Sequence, residues 1–217
     1  MKDQYYGSEE KYLYALADAL KEEYDAIHRA GFVLQVDCPD LGSSRHNRFS
    51  HLSTKEFKKI AELHVTALNH ALRDIPADRV RLHMCWGNYE GPHHCDVPLA
   101  DVIDIAFMAK VSAISLEAAN PRHAHEWTAW QATKVPEDRI LVPGVIDSVS
   151  NFVEHPALVA ERLCRYADIV GRERVIAGTD CGFAQGPFHR RVHPTIMWAK
   201  LEALAEGARL ASKALWR

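Results

Sequence analysis

No stretch of this sequence is apolar for long enough to cross a bilayer, which excludes a membrane-spanning helix. Net charge is nearly absent as well. The 26 Lys and Arg residues almost balance 29 Asp and Glu, leaving −3 and no basic field for nucleic acid or an anionic membrane surface. Cysteine is sparse: five residues, odd in number and widely scattered, which argues against a disulfide framework and leaves reduced thiols free for metal. Repeats, low-complexity tracts and linkers are missing too, so the 217 residues read as one domain with a sizeable core. Residues 1–10 are polar and acidic and lack the apolar segment of a secretion signal, so the expected location is the cytoplasm. Histidine, in contrast, is abundant at thirteen, which raises the prior for a metal site only slightly.

What is present is an alternation of amphipathic helices with short apolar runs. Ser8 is a plausible N-cap for a first helix, in which Leu13, Leu16, Ala17, Leu20, Tyr24 and Ile27 recur at helical spacing up to Gly31. The spacing predicts further helices over 53–72, 99–109, 123–133, 156–171 and 194–215. Between them, runs rich in Val and Ile predict buried strands over 32–36, 80–85, 113–117, 140–146 and 174–179. Strands that alternate with helices imply parallel βαβ units, and both open doubly wound sheets and (β/α)₈ barrels fit this pattern.

Each predicted strand ends in a polar or metal-binding residue. These are Asp37, then His83 and Cys85, then Glu117, then Asp147, then Asp180 and Cys181. Parallel α/β folds bind ligands at the carboxyl ends of their strands. His83 and Cys85 stand at i and i+2 of one strand, so both side chains face the same way and can reach one ion. Cys181 supplies a second sulfur and Glu117 a labile oxygen, which makes zinc held by His83, Cys85, Glu117 and Cys181 the expected cofactor. The bland alternative is a His and a Cys packed in a barrel core.

The ligand types also limit the chemistry. Two thiolates and a carboxylate bring more negative charge than the ion's own positive charge, a poor setting for acidifying water. A bound thiol still loses its proton there and stays electron-rich, which suits attack on an alkyl carbon. The expected partners are therefore a small-molecule thiol acceptor and a methyl or alkyl donor.

Other residues carry paired readings. Arg122, in Asn120-Pro-Arg122, is either a clamp for a carboxylate or phosphate or a surface or capping charge. Trp86, Tyr89, Trp127 and Trp130 either stack on a flat substrate or pack the core. His93-His94 either meets anions or is solvated, and so does the basic loop with Arg45, His46, Arg48 and His51. Cys38 and Cys95 read as packing or loop residues rather than spare ligands.

Four spaced motifs together carry a resemblance. They are His83-Met-Cys85-Trp-Gly-Asn88, Ser115-Leu-Glu117-Ala-Ala-Asn-Pro, Pro143-Gly-Val-Ile-Asp147 and Gly178-Thr-Asp-Cys181-Gly. The chain resembles the catalytic domain of cobalamin-independent methionine synthase and its single-domain relatives, which include epoxyalkane:coenzyme M transferase-like proteins. The resemblance implies a TIM-type (β/α)₈ barrel with zinc at its carboxyl face. It implies His83, Cys85 and Cys181 as lasting ligands and Glu117 as the ligand an incoming thiol displaces. Asp37 then helps hold the substrate, Asp147 lies near the methyl-donor site, and Asn88 joins Trp86 and Arg122 as substrate-binding candidates.

Two departures from the family pattern stand out. Ser148-Val149-Ser150 replaces a histidine expected shortly after Asp147. Five of the eight barrel strands are visible, the chain opening at the helix before the fourth, whereas such a barrel usually needs about 250 residues. A partial barrel exposes two sheet edges, so a homo-oligomer, a complementing N-terminal half-barrel or poor solubility is expected. Competing with an active thiol alkyltransferase are a zinc-binding remnant without chemistry, a zinc hydrolase or decarboxylase on a similar barrel, and a metal-free redox or binding protein using Cys85 and Cys181.

Overall fold

The computed structural model describes residues 4–184 and 191–217; Met1–Asp3 of the polar start lie outside them. Twelve helices and strands follow one another as α1 (Glu9–Arg29), β1 (Leu34–Asp37), α2 (Ser44–Asn47), α3 (Thr54–Ala71), β2 (Val80–Met84), α4 (Leu99–Met108), β3 (Ala113–Leu116), α5 (Trp127–Ala132), β4 (Ile140–Ile146), α6 (Pro156–Val170), β5 (Gly178–Thr179) and α7 (Pro194–Leu215). The five strands are parallel and lie in the sheet in chain order. This is half of a barrel wall: an α/β sheet with β1 and β5 as open edges among the described residues. No described helix is long and apolar enough to cross a membrane.

Local chemistry places the helix starts where the sequence signals them. Ser8 Oγ accepts from Lys11 N at 3.2 Å. Ser53 and Glu56 form a reciprocal capping box at α3, with Glu56 N donating to Ser53 Oγ at 3.3 Å and Ser53 N to Glu56 Oε2 at 2.9 Å. Pro156 and Pro194 occupy the first turns of α6 and α7, where their missing N–H groups cost nothing.

The two faces of the sheet differ. Leu34, Val36, Val80, Leu82, Met84, Ile114, Leu116 and Leu141 pack under the helices in one large apolar core. The alternate residues face the concave side. Register sets Asp37 beside His83, His83 beside Ser115, and Ser115 beside Val142. That row lines a cavity of about 620 Å³, together with Gln35, Arg81 and Cys85. The period of two thus separates packing from chemistry along each strand.

Three elements are shorter than the sequence predicts. β1 starts at Leu34, since Gly31 turns with φ +86° and Phe32 and Val33 stay exposed. α5 starts at Trp127 rather than at 123, because Asn120 Oδ1 accepts from Arg122 N and His123 N and holds that stretch as a turn. β5 keeps only Gly178–Thr179, because a register shift between Gly144 and Ile146 bends β4 away from a longer ladder.

Gly144 marks the tightest approach at this bend. A Cβ built there would lie 2.5 Å from Asp180 Cα and 2.6 Å from Asp180 N. A side chain at that position must displace backbone, which costs about 1–3 kcal/mol when it overpacks a core. Gly144→Ala should lower the stability measured by urea unfolding by that amount. An unchanged midpoint would show that the β4–β5 contact gives way freely.

Candidate metal centre

The carboxyl ends of β2 and β5 bring the first three predicted ligands together. His83, Cys85 and Cys181 offer one imidazole nitrogen and two sulfurs, all within 4.8 Å of one another. His83 Nε2 lies 3.3 Å from Cys181 Sγ, and His83 Nδ1 lies 3.2 Å from Ser115 Oγ. Nitrogen and sulfur bound tetrahedrally to one zinc stand about 3.5 Å apart, so the donor set fits the ion. Ser115 is the outer partner that orients such an imidazole.

Glu117 is placed differently from the other three. It is buried to 1 % exposure and stands outside that group. Oε1 accepts from Trp86 N at 2.7 Å and Oε2 from the Asn120 amide at 2.8 Å. Burial pushes its pKa up, against the pull of the Trp86 N–H. Glu117 lines a second cavity of about 480 Å³, with Asn88, Tyr89, Asn120, Arg122 and Asp147.

The electrostatics of the thiol pair are uneven. Cys85 is lowered to about 5, chiefly by a hydrogen bond from Cys181, then against burial by His83 and the Gly87 backbone. Cys181 moves up, since it is the donor of that bond and is also buried. One thiolate and one thiol therefore share the site, with the charge on Cys85. His83 is raised: burial lowers it, but the hydrogen bond and charge of Cys85 outweigh that.

Asp180 holds the neighbouring strand ends in place. It is fully buried and accepts from Ala118 N and Ala119 N, each at 2.8 Å, and from Asn120 N at 2.9 Å. Burial and the Glu117 charge push its pKa up to about 7 in spite of those N–H groups. Ser148 links the other side: its Oγ accepts from the Asn88 amide at 2.7 Å and from Cys181 N at 3.1 Å. The serine that departs from the expected histidine therefore braces a sulfur ligand of the candidate centre.

The remaining predicted site residues fall as follows. Asp37 lines the larger cavity, with Oδ1 3.9 Å from His83 Nε2. Asp147 is buried and accepts from Val149 N at 2.6 Å, while its own N donates to Glu154 Oε1 at 2.8 Å. Asn88 is buried between both cavities and Arg122 is exposed at the rim of the smaller one. Trp86 is a correction. It is fully buried, stacked on His123 at 4.2 Å and bonded through Nε1 to Val97 O at 2.7 Å, so it packs and offers no face to a substrate. Trp130 is buried as well, Trp127 lies beneath Arg165, and Tyr89 alone of the aromatic group lines both cavities. Cys38 packs against the core and Cys95 is exposed.

Sequence reasoning missed Ser115 and Ser148 as supports, and it missed the burial of His123, Asp96 and Glu126. His123 and Glu126 at i and i+3 gave a signal, but on a stretch read as helix. His46 and His93, read as loop residues, turn inward toward Asp96.

With this geometry in view, the comparisons are specific. The family model for the catalytic domain of cobalamin-independent synthases matches residues 6–196. The chain belongs to that family. Among curated proteins, a methionine synthase of Thermococcus kodakarensis is 26% identical over 216 residues, covering 99% of this chain and 54% of its own length. A 2-hydroxypropyl-CoM lyase of Xanthobacter autotrophicus is 25% identical over 172 residues, covering 67% of this chain and 44% of its own length. A solved B12-independent methionine synthase from Shewanella sp. W3-18-1, in complex with selenomethionine, superposes with a TM-score of 0.73 at 21% identity, covering 99% of this chain and 58% of that one. The chain spans about half the length of the curated relatives it matches. The shared fold with that synthase makes the five-stranded sheet a partial TIM-type barrel.

The Asp147 loop depends on one buried ion pair. Lys200 of α7 is wholly buried, bonds Phe152 O and lies 2.7 Å from Glu154 Oε2, the carboxylate that also holds Asp147 N. Removing one partner of a buried pair costs about 3–5 kcal/mol. Lys200→Met should therefore unfold at correspondingly lower denaturant, whereas a loss below about 1 kcal/mol would mean that Glu154 finds water once the lysine is gone.

Proposed function

We propose that this chain is a zinc-dependent transferase that moves a methyl or other alkyl group onto the sulfur of a small-molecule thiol. The observation that supports it most is the meeting of two thiols and one imidazole from β2 and β5 at the mouth of an open, polar cavity. In this reading His83, Cys85 and Cys181 hold the metal. When bound, zinc supplies positive charge that lowers the pKa of an incoming thiol without making the site a strong activator of water. The curated relatives act as a methionine synthase and a 2-hydroxypropyl-CoM lyase, both of which fit a thiol or thioether at the reacting centre.

The chain's own residues divide the work. Asp37 and Tyr89 line the cavity that receives the acceptor. Glu117, fixed by Trp86 N and Asn120, is the buried carboxylate beside the thiols and takes the acceptor's proton. The donor occupies the smaller cavity between Arg122 and Asp147, where an anionic tail can reach the guanidinium. The new S–C bond forms as the donor's C–X bond breaks, X leaving with the electron pair. Alignment of the two substrates by these side chains is the main source of rate in such a transfer.

The open edges of β1 and β5 and the half-length match favour a second reading, in which the chain binds zinc but turns over only when more wall encloses the cavity. A second copy or a complementing N-terminal half-barrel would supply that wall.

X-ray absorption of the zinc-loaded protein, with and without a panel of thiols, tests the proposal. One zinc with two sulfurs at the centre is expected, the shell gaining a sulfur when a matching thiol is added. Cys85→Ser and Cys181→Ser should each abolish that zinc and the sulfur signal. A shell that ignores every thiol sinks the transferase reading, and sulfur-bound zinc that survives either substitution at full strength sinks the ligand assignment. Sedimentation of the same sample separates a monomer from an assembly that closes the barrel.

A further inference from the structure

Behind the thiol centre lies a second cluster, built from three loops at the same end of the sheet. His46 comes from α2, His93 and Asp96 from the loop between β2 and α4, and His123 and Glu126 from the turn before α5. Asp96 is the hub. Its Oδ2 lies 2.7 Å from His93 Nδ1 and 3.1 Å from His123 Nε2, and its Oδ1 lies 2.9 Å from His46 Nδ1. The side chains of Asp96 and His123 are 2 % exposed and those of His93 and His46 are 10 % and 11 % exposed, so bulk water does not solvate their polar atoms.

The outward nitrogens decide what the inward ones carry. His123 Nδ1 is 2.7 Å from Glu126 Oε2, and His93 Nε2 is 2.8 Å from Tyr89 O. A carboxylate and a carbonyl only accept, so each ring donates outward, and a neutral imidazole has just one N–H to give. The inward nitrogens are then lone pairs aimed at a carboxylate that also only accepts. Buried acceptors facing one another repel without water to relieve them. Either each ring takes a second proton or a cation sits among them. The second oxygen of Asp96 favours the cation. His46 Nδ1 and Asp96 Oδ1 are close, yet among the described residues neither atom makes a hydrogen bond, and His46 Nε2 makes none either. A hydrogen bond demands near-linear geometry, whereas a carboxylate oxygen left without one still attracts a cation. Outward bonds from His to a carboxylate and a carbonyl are also how metal-bound imidazoles are oriented. His93 is held with φ +50°, a left-handed backbone that histidine adopts when its surroundings require it.

We propose that His93, His123 and Asp96, whose ligand atoms all lie within 4.8 Å of one another, form a second divalent-metal site, with His46 of α2 against the other oxygen of Asp96. Two imidazoles and one carboxylate suit a first-row transition ion such as zinc. The site ties the loop after β2 to the turn before α5. Trp86 carries that rigidity to the thiol centre, since its ring stacks on His123 and its N–H holds Glu117. The inference stands whether or not the chain transfers alkyl groups.

Zinc content after equilibration with excess zinc and desalting tests it. The wild-type protein should hold two zinc ions per chain and the Cys85→Ser/Cys181→Ser variant one. X-ray absorption of that variant should show nitrogen and oxygen only, with the outer-shell scattering of imidazole. Asp96→Asn and His123→Gln should also hold one, with the sulfur shell intact. If the cysteine variant does not fold, cobalt(II) titration of the wild type answers the same question: a second equivalent should add ligand-field absorption but no further sulfur-to-cobalt charge transfer. Saturation at one sulfur-bound equivalent, unchanged by Asp96→Asn, overturns the second site and assigns the cluster to protonated histidines. One zinc with a nitrogen and oxygen shell in the wild type would instead refute the thiol centre and leave this site standing.

Discussion

Everything at the carboxyl end of this sheet depends on how Asp180 is held. A fully buried carboxylate is expensive to keep, and its pKa rises to about 7 as a result. Three backbone N–H groups from Ala118, Ala119 and Asn120 offset much of that cost, each bond to a charged acceptor being worth about 1.5–3 kcal/mol. The bonds tie the end of β3 to the end of β5 across the bend in β4. Gly144 makes the approach possible by having no Cβ to stand in the way. The very next residue is Cys181. The interaction that fixes the turn after Thr179 therefore also fixes where the second sulfur points, and it does so without relying on a long β5 ladder.

A centre assembled in this way concentrates negative charge. Cys85, Cys181, Glu117 and Asp180 lie near one another, and each raises the cost of ionising another. Two features relieve the crowding in the metal-free chain. The proton stays on Cys181, where it bridges to Cys85, and Asp180 sits near its own titration point. A divalent cation held by His83, Cys85 and Cys181 would relieve it more completely, since it would bring positive charge in place of the shared proton. Glu117 is held beside the thiols by Trp86 N and Asn120.

Much of this was legible in the residues. The i and i+2 spacing of His83 and Cys85 on a strand needed only the pleat to become a shared face, and the polar strand ends needed only parallel topology to share an edge. Burial was what the sequence concealed. Trp86 reads as an accessible aromatic beside a metal ligand, yet its ring lies under Val97 and against His123. Its position in the strand-to-loop turn is set by tertiary contacts with a segment 37 residues later, not by local pattern. His123 fooled the helical period for the same reason. Its apolar neighbours recur at helical spacing, but Asn120 bonds the local backbone first and postpones the helix. Ser148 looked like a loss relative to the family pattern, and only the fold shows it bonded at once to Asn88 and Cys181 N.

Much of the buried polar network comes from one segment. Trp86, Asn88, His93 and Asp96 all belong to the segment between β2 and α4, and its residues reach the thiol centre, both cavities and the histidine cluster in turn. Such a segment has few apolar contacts of its own to order it, and ordering a residue's backbone costs about 1–2 kcal/mol. Polar anchors must compensate: Asn88 to Ser148, His93 to Tyr89 O, Asp96 to three imidazoles, and Trp86 Nε1 to Val97 O. Asn88 and Asp96 reach out of the segment, to Ser148 after β4, to His46 of α2 and to His123 before α5, while the other two bonds brace it internally. Trp86 joins the two clusters, its ring stacked on His123 and its backbone N–H given to Glu117. Geometry at the thiol centre is in this sense supported from behind, by a buried polar network, as well as by the cavity wall.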